Sequence, residues 1–131
     1  MQPGMSGSNL NTAMAALDAA KNELTKFDQV TGPQIRRTLA SALDRTRVNL
    51  DNAKLEIQRQ RDLFQRGYAA RNEVEQAESA LASAQADFDN AEQRVRTLDR
   101  ELEAERNALN SRIKQSTAQV ADARASLGQT D

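Results

Sequence analysis

Residues 43–88 read LDRTRVNLDNAKLEIQRQRDLFQRGYAARNEVEQAESALASAQADF, and this stretch decides the fold. Apolar residues recur every seven positions on both sides of a short segment, residues 66–71. The first ladder consists of Leu43, Leu50, Ile57 and Phe64, and the second of Val74, Leu81, Phe88, Val95, Leu102 and Leu109. Such a repeat is typical of helices that bury one narrow stripe against a partner helix. The stripes cover each other if the chain reverses at residues 66–71. The sequence therefore predicts an all-α fold, a long antiparallel coiled-coil hairpin.

The composition agrees with long helices rather than a thick globular core. The chain of 131 residues has one Tyr, three Phe and no Trp, and it is rich in Ala, Leu, Gln, Glu, Asp and Arg. It has no Cys and no His, which removes disulfides, thiol nucleophiles and the commonest metal ligand. The formal net charge of −1, with both signs mixed, gives no field that would attract nucleic acid or an anionic membrane, so we predict no nucleic-acid partner. We therefore predict no catalytic, cofactor-binding or metal-binding residues, no cofactor and no enzyme activity.

Helices are predicted over residues 9–29, 33–66 and 71–128. Residues 1–8 lack the positive start and apolar core of a signal peptide, and they are predicted to form a flexible leader of the kind appended to expressed proteins. Residues 129–131 are predicted to form a tail. No apolar run approaches the ~20 residues that a membrane span needs.

The first arm is predicted to be broken at Gly32-Pro33. Gly favours a helix end, and Pro lacks the amide that a helix interior needs. The stripe before the break is Leu10, Ala13, Leu17, Ala20, Leu24 and Phe27. The lengths of the helices match if the first two are collinear and share the third as partner. The alternative is a three-helix bundle in which the first helix folds back at Gly32-Pro33.

The third helix is predicted to change register opposite this break. Its ladder up to Leu109 would continue at Ser116 and Ala123, but the apolar set moves instead to Ile113, Val120 and Leu127. If the turn is centred near Ala69, facing residues have numbers that sum to about 138. Small residues near the turn fit either a neighbouring hairpin or simply a thin two-stranded seam; they are Ala77, Ala80, Ala84 and Ala91.

The turn itself is rich in charge and carries an aromatic residue. Four Arg, at positions 59, 61, 66 and 71, lie within or beside it, and Tyr68 is at its apex. Gly67 is predicted to end the second helix in a left-handed conformation, and Asn72 to cap the third. Arg and Tyr are favoured at protein contacts, which makes the turn a candidate recognition surface. A merely solubilising loop fits the composition equally well.

Residues 59–77 read RQRDLFQRGYAARNEVEQA and resemble the hairpin tip of periplasmic adaptor proteins, the membrane fusion proteins of tripartite efflux pumps and type I secretion systems. That family often shows an Arg, a Leu four residues later, a Gly four after that and a Ser three beyond the Gly. Arg59, Leu63 and Gly67 match this pattern. Ala70 stands where the family has Ser, so a hydrogen bond from that side chain does not carry over.

The resemblance implies a hairpin of a larger adaptor that is located in the periplasm and anchored at the inner membrane. Family adaptors form a ring, often six-fold, and their hairpin tips meet a TolC-type outer-membrane channel. The hairpin then links an inner-membrane transporter to that channel, through domains outside this sequence, and supports export. The implied tip residues are Arg59, Leu63, Gly67, Tyr68 and Ala70. The residues alone leave open a generic coiled-coil scaffold or dimerisation module.

Overall fold

The computed structural model describes residues 3–129, which form helices and one turn, with no strand in that range. Helix α1 spans Pro3–Lys26 and continues into a π-helical turn, Phe27–Thr31. Helix α2 spans Gly32–Gln65, and helix α3 spans Arg71–Gln129. The prediction of an all-α fold is confirmed.

The ends of the helices differ from the predicted bounds. Helix α1 begins at Pro3 rather than at residue 9, so Pro3–Ser8 are helical and not the predicted flexible leader. Pro suits the first turn of a helix because amides there have no partner within the helix. Residues 1 and 2 of that leader lie outside the described residues. Gln129 belongs to α3, and the rest of the predicted tail lies outside the described residues.

The predicted break at Gly32-Pro33 is wrong, because the helical backbone continues there and the irregularity is a π-helical turn, Phe27–Thr31, just before it. Gly32 has φ −60° and ψ −54°, and its amide donates to the carbonyl oxygen of Phe27, five residues back. The wider turn accommodates Pro33, whose ring in an α-helix would clash with the carbonyl four residues earlier. A Cβ at Gly32 would lie 3.1 Å from the Phe27 oxygen, so glycine suits this close approach. The helical backbone leaves no reversing loop at Gly32-Pro33, which the three-helix alternative requires.

The chain divides into two compact units. Unit 1 combines the residues up to Gln34 with those from Arg100 onward, and unit 2 is Ile35–Asp99. In unit 1, Arg112 forms an ion pair with Glu23, and Arg106 lies 3.3 Å from the Asp28 carboxylate. Residue numbers fall on one segment as they rise on the other, so the two segments of unit 1 run antiparallel.

Unit 2 shows the same antiparallel order. The guanidinium of Arg36 lies 2.6 Å from the Asp99 carboxylate, and that of Arg61 lies 3.8 Å from Glu78. The numbers of these pairs sum to 135 and 139, close to the value expected from a turn centred near Ala69. All of these charged side chains are largely exposed, so each pair contributes about 1 kcal/mol or less. Apolar burial therefore carries most of the stability.

The buried apolar residues among those described are few: Ala20, Leu109 and Val120 in unit 1, and Leu50, Ile57, Ala77 and Leu98 in unit 2. Both the ladder through Ser116 and Ala123 and the shifted apolar set of Ile113, Val120 and Leu127 are buried or half-buried. Ser116 is 7% exposed and Ala123 is half-buried. Positions three and four apart share one face of a helix, so Ser116 lies on the same face as Ile113 and Val120. No helix within the described range is long and apolar enough to span a membrane.

Candidate protein-binding site at the turn between α2 and α3

The turn that follows α2 has a specific backbone geometry. Gly67 has φ +83°, which confirms its predicted left-handed conformation. The amide of Tyr68 donates to the carbonyl of Leu63 over 2.8 Å, and the amide of Gly67 donates to that of Phe64 over 3.0 Å. This pair of bonds is the Schellman motif, which satisfies the last carbonyls of a helix. The motif fixes the chain direction immediately after Gln65 and ties Tyr68 to Leu63.

Helix α3 begins without a side-chain cap. The carbonyl of Ala70 accepts the amides of Glu73 and Val74, over 3.1 and 3.4 Å. Ala70 therefore occupies the N-cap position, and the predicted cap at Asn72 is wrong, because Asn72 already lies in the first helical turn. The Ala side chain has no oxygen that could accept the free amides of that turn. The Ser expected from the family pattern would fall at this cap position.

The predicted site residues lie on two sides of the turn. Tyr68 is 79% exposed, whereas Leu63 is half-buried beneath the turn. Gly67 and Ala70 are exposed and complete the loop. Arg59 lies one helical turn before Leu63 and pairs with Glu56 on its own helix. The structure thus brings together four of the five residues, and Arg59 flanks them.

Phe64, in the last turn of helix α2, is an exposed residue beside the turn that the sequence did not reveal. Its place in the apolar ladder predicted burial, but the side chain is 43% exposed. The reason is its position at the end of α2, where the stripe has no further residue beyond it to cover the ring. Phe64 and Tyr68 together present aromatic surface at the turn. The signal in the sequence was the position of Phe64, three residues before the glycine that ends the helix.

Charges around the turn are partly neutralised by neighbours. The guanidinium of Arg66 lies 3.5 Å from the Asp62 carboxylate, and both side chains are more than half exposed. Arg71, at the start of α3, has no ion pair with any described residue. Glu73 follows in the first turn of α3, where a negative charge suits the positive end of the helix dipole. The turn therefore offers exposed rings and a free cation to a partner.

The arrangement suits contact between macromolecules. Within residues 3–129, no group of three His, Cys, Asp or Glu side chains converges to hold a metal ion. Aromatic and Arg side chains at an exposed backbone turn are typical anchors of protein contacts. No protein-family model, no curated protein and no solved structure matches the chain.

Proposed function

We propose that this chain is the helical hairpin of a periplasmic adaptor and that it forms a long antiparallel coiled coil. The hairpin bridges an inner-membrane transporter, through further domains, to a TolC-type outer-membrane channel. Docking is tip to tip, and copies of the full-length adaptor associate in a ring, six-fold as is frequent in that family. The adaptor works in the periplasm, anchored at the inner membrane, and supports export.

One observation carries this proposal. The chain reverses once among its described residues, and the reversal exposes Tyr68 and Phe64 above a half-buried Leu63. The match of Arg59, Leu63 and Gly67 to the adaptor tip pattern falls on this same place. An exposed apolar and aromatic surface at the end of a polar, narrow helix pair suits an end-on contact with another helical tip.

The antiparallel order of ion pairs supports the spacer role. Unit 1 and unit 2 each pair an earlier helix with part of α3 in opposite directions. At 1.5 Å per residue, the 59 residues of α3 extend for about 88 Å. A helix of this length suits a spacer that transmits contact over distance. It has little use in a small pocket-bearing domain.

Site-specific cross-linking tests the proposal, because the chain has no Cys of its own. A Tyr68→Cys adaptor, labelled with a photoreactive group in cells that carry a TolC-type channel, should cross-link to the channel. Met14→Cys is the matched control, since Met14 is 42% exposed and lies on α1, outside the turn. Leu63→Asp should abolish the Tyr68→Cys product and export, whereas Met14→Asp should leave both intact.

Two results would count against this function. Equal labelling of the channel from positions 68 and 14 would show that the turn is not the contact. Cross-linking of Tyr68→Cys to another copy of the chain, with normal export by Leu63→Asp, would favour the dimerisation module. Circular dichroism of each variant shows whether its helices are retained.

A further inference from the structure

Two large apolar side chains are exposed in the middle of α2. Val48 is 56% exposed and Leu55 is 65% exposed. Each lies two residues before a buried residue, Leu50 or Ile57, and two residues correspond to about 200° around a helix. Both side chains therefore face away from α3. Together with exposed neighbours three and four residues away they form the α2 outer stripe: Arg45, Val48, Asn52, Leu55 and Arg59.

Helix α3 has a corresponding row on its own outer side. Its central residues are small, its ends are acidic, and all its members are exposed. This α3 outer stripe consists of Glu75, Ser79, Ala82, Ala86 and Asp89. Ser79 lies two residues after the buried Ala77, and Ala86 lies two before the half-buried Phe88. The row therefore faces away from α2, by the same helical geometry.

The two outer stripes lie level with each other in unit 2. The Arg36–Asp99 ion pair and the guanidinium of Arg47, 5.9 Å from the Phe88 ring centre, both join residues whose numbers sum to 135. Members of the two stripes pair at a sum of 134, within one residue of these two contacts; the Arg61–Glu78 pair nearer the turn, which two long side chains join, has a sum of 139. At this sum, large apolar residues of the α2 outer stripe lie at the same height as small residues of the α3 outer stripe: Val48 with Ala86, and Leu55 with Ser79. Basic residues lie at the same height as acidic ones: Arg45 with Asp89, and Arg59 with Glu75.

The charges of the two helical segments are also complementary. Residues 35–65 contain seven basic and four acidic side chains, whereas residues 71–99 contain three basic and seven acidic ones. Contact between two α2 segments, or between two α3 segments, would bring like charges together. Contact between α2 of one copy and α3 of another brings opposite charges together.

We propose that a second copy of this chain packs its α3 outer stripe on the α2 outer stripe of the first. Val48 and Leu55 insert beside Ala86 and Ser79, without an axial shift between the copies. The interface is heterologous: a pair of copies leaves the α3 outer stripe of the first copy and the α2 outer stripe of the second free, so the contact repeats from copy to copy. Two apolar side chains per contact make a small interface, which associates at high protein concentration or when other domains hold the copies together.

This contact deepens the ring assembly of the proposed function and rests on it only for the biological setting. Its test needs neither channel nor transporter, so loss of this contact and loss of tip docking are separate results. The first experiment is oxidative cross-linking of the Val48→Cys, Ala86→Cys double variant. A disulfide requires Cα atoms within about 7 Å. Outward residues on two packed helices are about 13 Å or more apart, from an axial separation of about 8–10 Å plus two Cα radii.

A disulfide in that double variant therefore joins two copies. We expect a ladder of covalent oligomers from the double variant at high concentration. The matched control is Val48→Cys with Ser79→Cys, which uses the same stripes at levels seven residues apart and should give no ladder. The absence of a ladder from Val48→Cys with Ala86→Cys, or an equal ladder from the control, would overturn the proposal. So would a covalent dimer from Val48→Cys alone, which reports contact between two α2 helices.

Charge reversal is the second experiment. Arg45→Glu and Asp89→Arg should each lower the cross-linking yield several-fold, since each places like charges opposite each other. The double reversal restores opposite charges and should recover the yield. Failure of the double variant to recover would contradict the pairing of Arg45 with Asp89. Unchanged helicity in circular dichroism controls for folding, because both side chains are exposed.

Discussion

Ala70→Ser should stabilise the protein, because Ala70 occupies the N-cap of α3 without a side-chain oxygen that could accept a hydrogen bond. A serine hydroxyl at this position would accept the amide of Asn72, or share the amide of Glu73 with the carbonyl of residue 70. The variant would also gain a capping box, in which the carboxylate of Glu73 reaches back to the amide of the cap residue. Replacing a capping serine by alanine typically costs about 1 kcal/mol. The reverse change should therefore raise the free energy of unfolding by about 1 kcal/mol.

Urea unfolding, followed by circular dichroism, measures this change. With a slope of about 2 kcal/mol per molar urea, the gain shifts the midpoint upward by about 0.5 M at an unchanged slope. Ala69→Ser is the matched control, since it makes the same chemical change one residue before the cap and should give no gain. Slower hydrogen exchange at the amides of residues 72 and 73 would show that the gain arises at the cap.

The contribution of Glu73 is separable by a double-mutant cycle. Glu73→Ala should cost more stability in the Ala70→Ser background than in the parent chain, because only the former has both halves of the capping box. Stability of Ala70→Ser equal to or below that of the parent chain would refute the reasoning. It would mean that the hydroxyl at position 70 does not reach the free amides of the first turn.

Two further changes test the turn and the buried stripe. Gly67→Ala should lower the free energy of unfolding by about 1–2 kcal/mol, since a side chain at φ +83° is strained. Gly67→Asn should cost less stability than Gly67→Ala. An equal loss from the two substitutions would contradict a conformational cause. Ile57→Ala should cost about 2–4 kcal/mol because Ile57 is 3% exposed. Leu55→Ala, at a site 65% exposed on the same helix, should change stability by less than about 0.5 kcal/mol. Thermal and urea unfolding at low protein concentration measure the stability of the Ile57→Ala and Leu55→Ala variants. Equal losses of stability at positions 57 and 55 would show that the buried apolar residues are not the main source of stability.

Much of the architecture follows from the sequence. The seven-residue ladders predict long helices, and Gly67 between them predicts the one reversal, since glycine adopts positive φ without strain. Residues 59–77 also mark the candidate site, because Tyr68 and several Arg gather where a loop must be exposed. The cap at Asn72 was harder to predict. Asn72 is a residue type that often caps helices and it lies near the start of α3. The first helical hydrogen bond, however, is accepted two residues earlier, by the carbonyl of Ala70.

The sequence by itself determined the helices, the turn and the apolar stripe, because period, glycine position and proline chemistry are local properties. The sequence also shows one residue more than the heptad repeat requires in the first arm, because Leu24 and Leu39 are fifteen positions apart whereas two heptads span fourteen. Tertiary structure decided how that residue is accommodated, through a π-helical turn before Pro33 rather than a break. It also decided that Ser116 is buried while Phe64 is exposed. Burial depends on what lies across the seam, and the order of apolar residues along one helix does not contain that information.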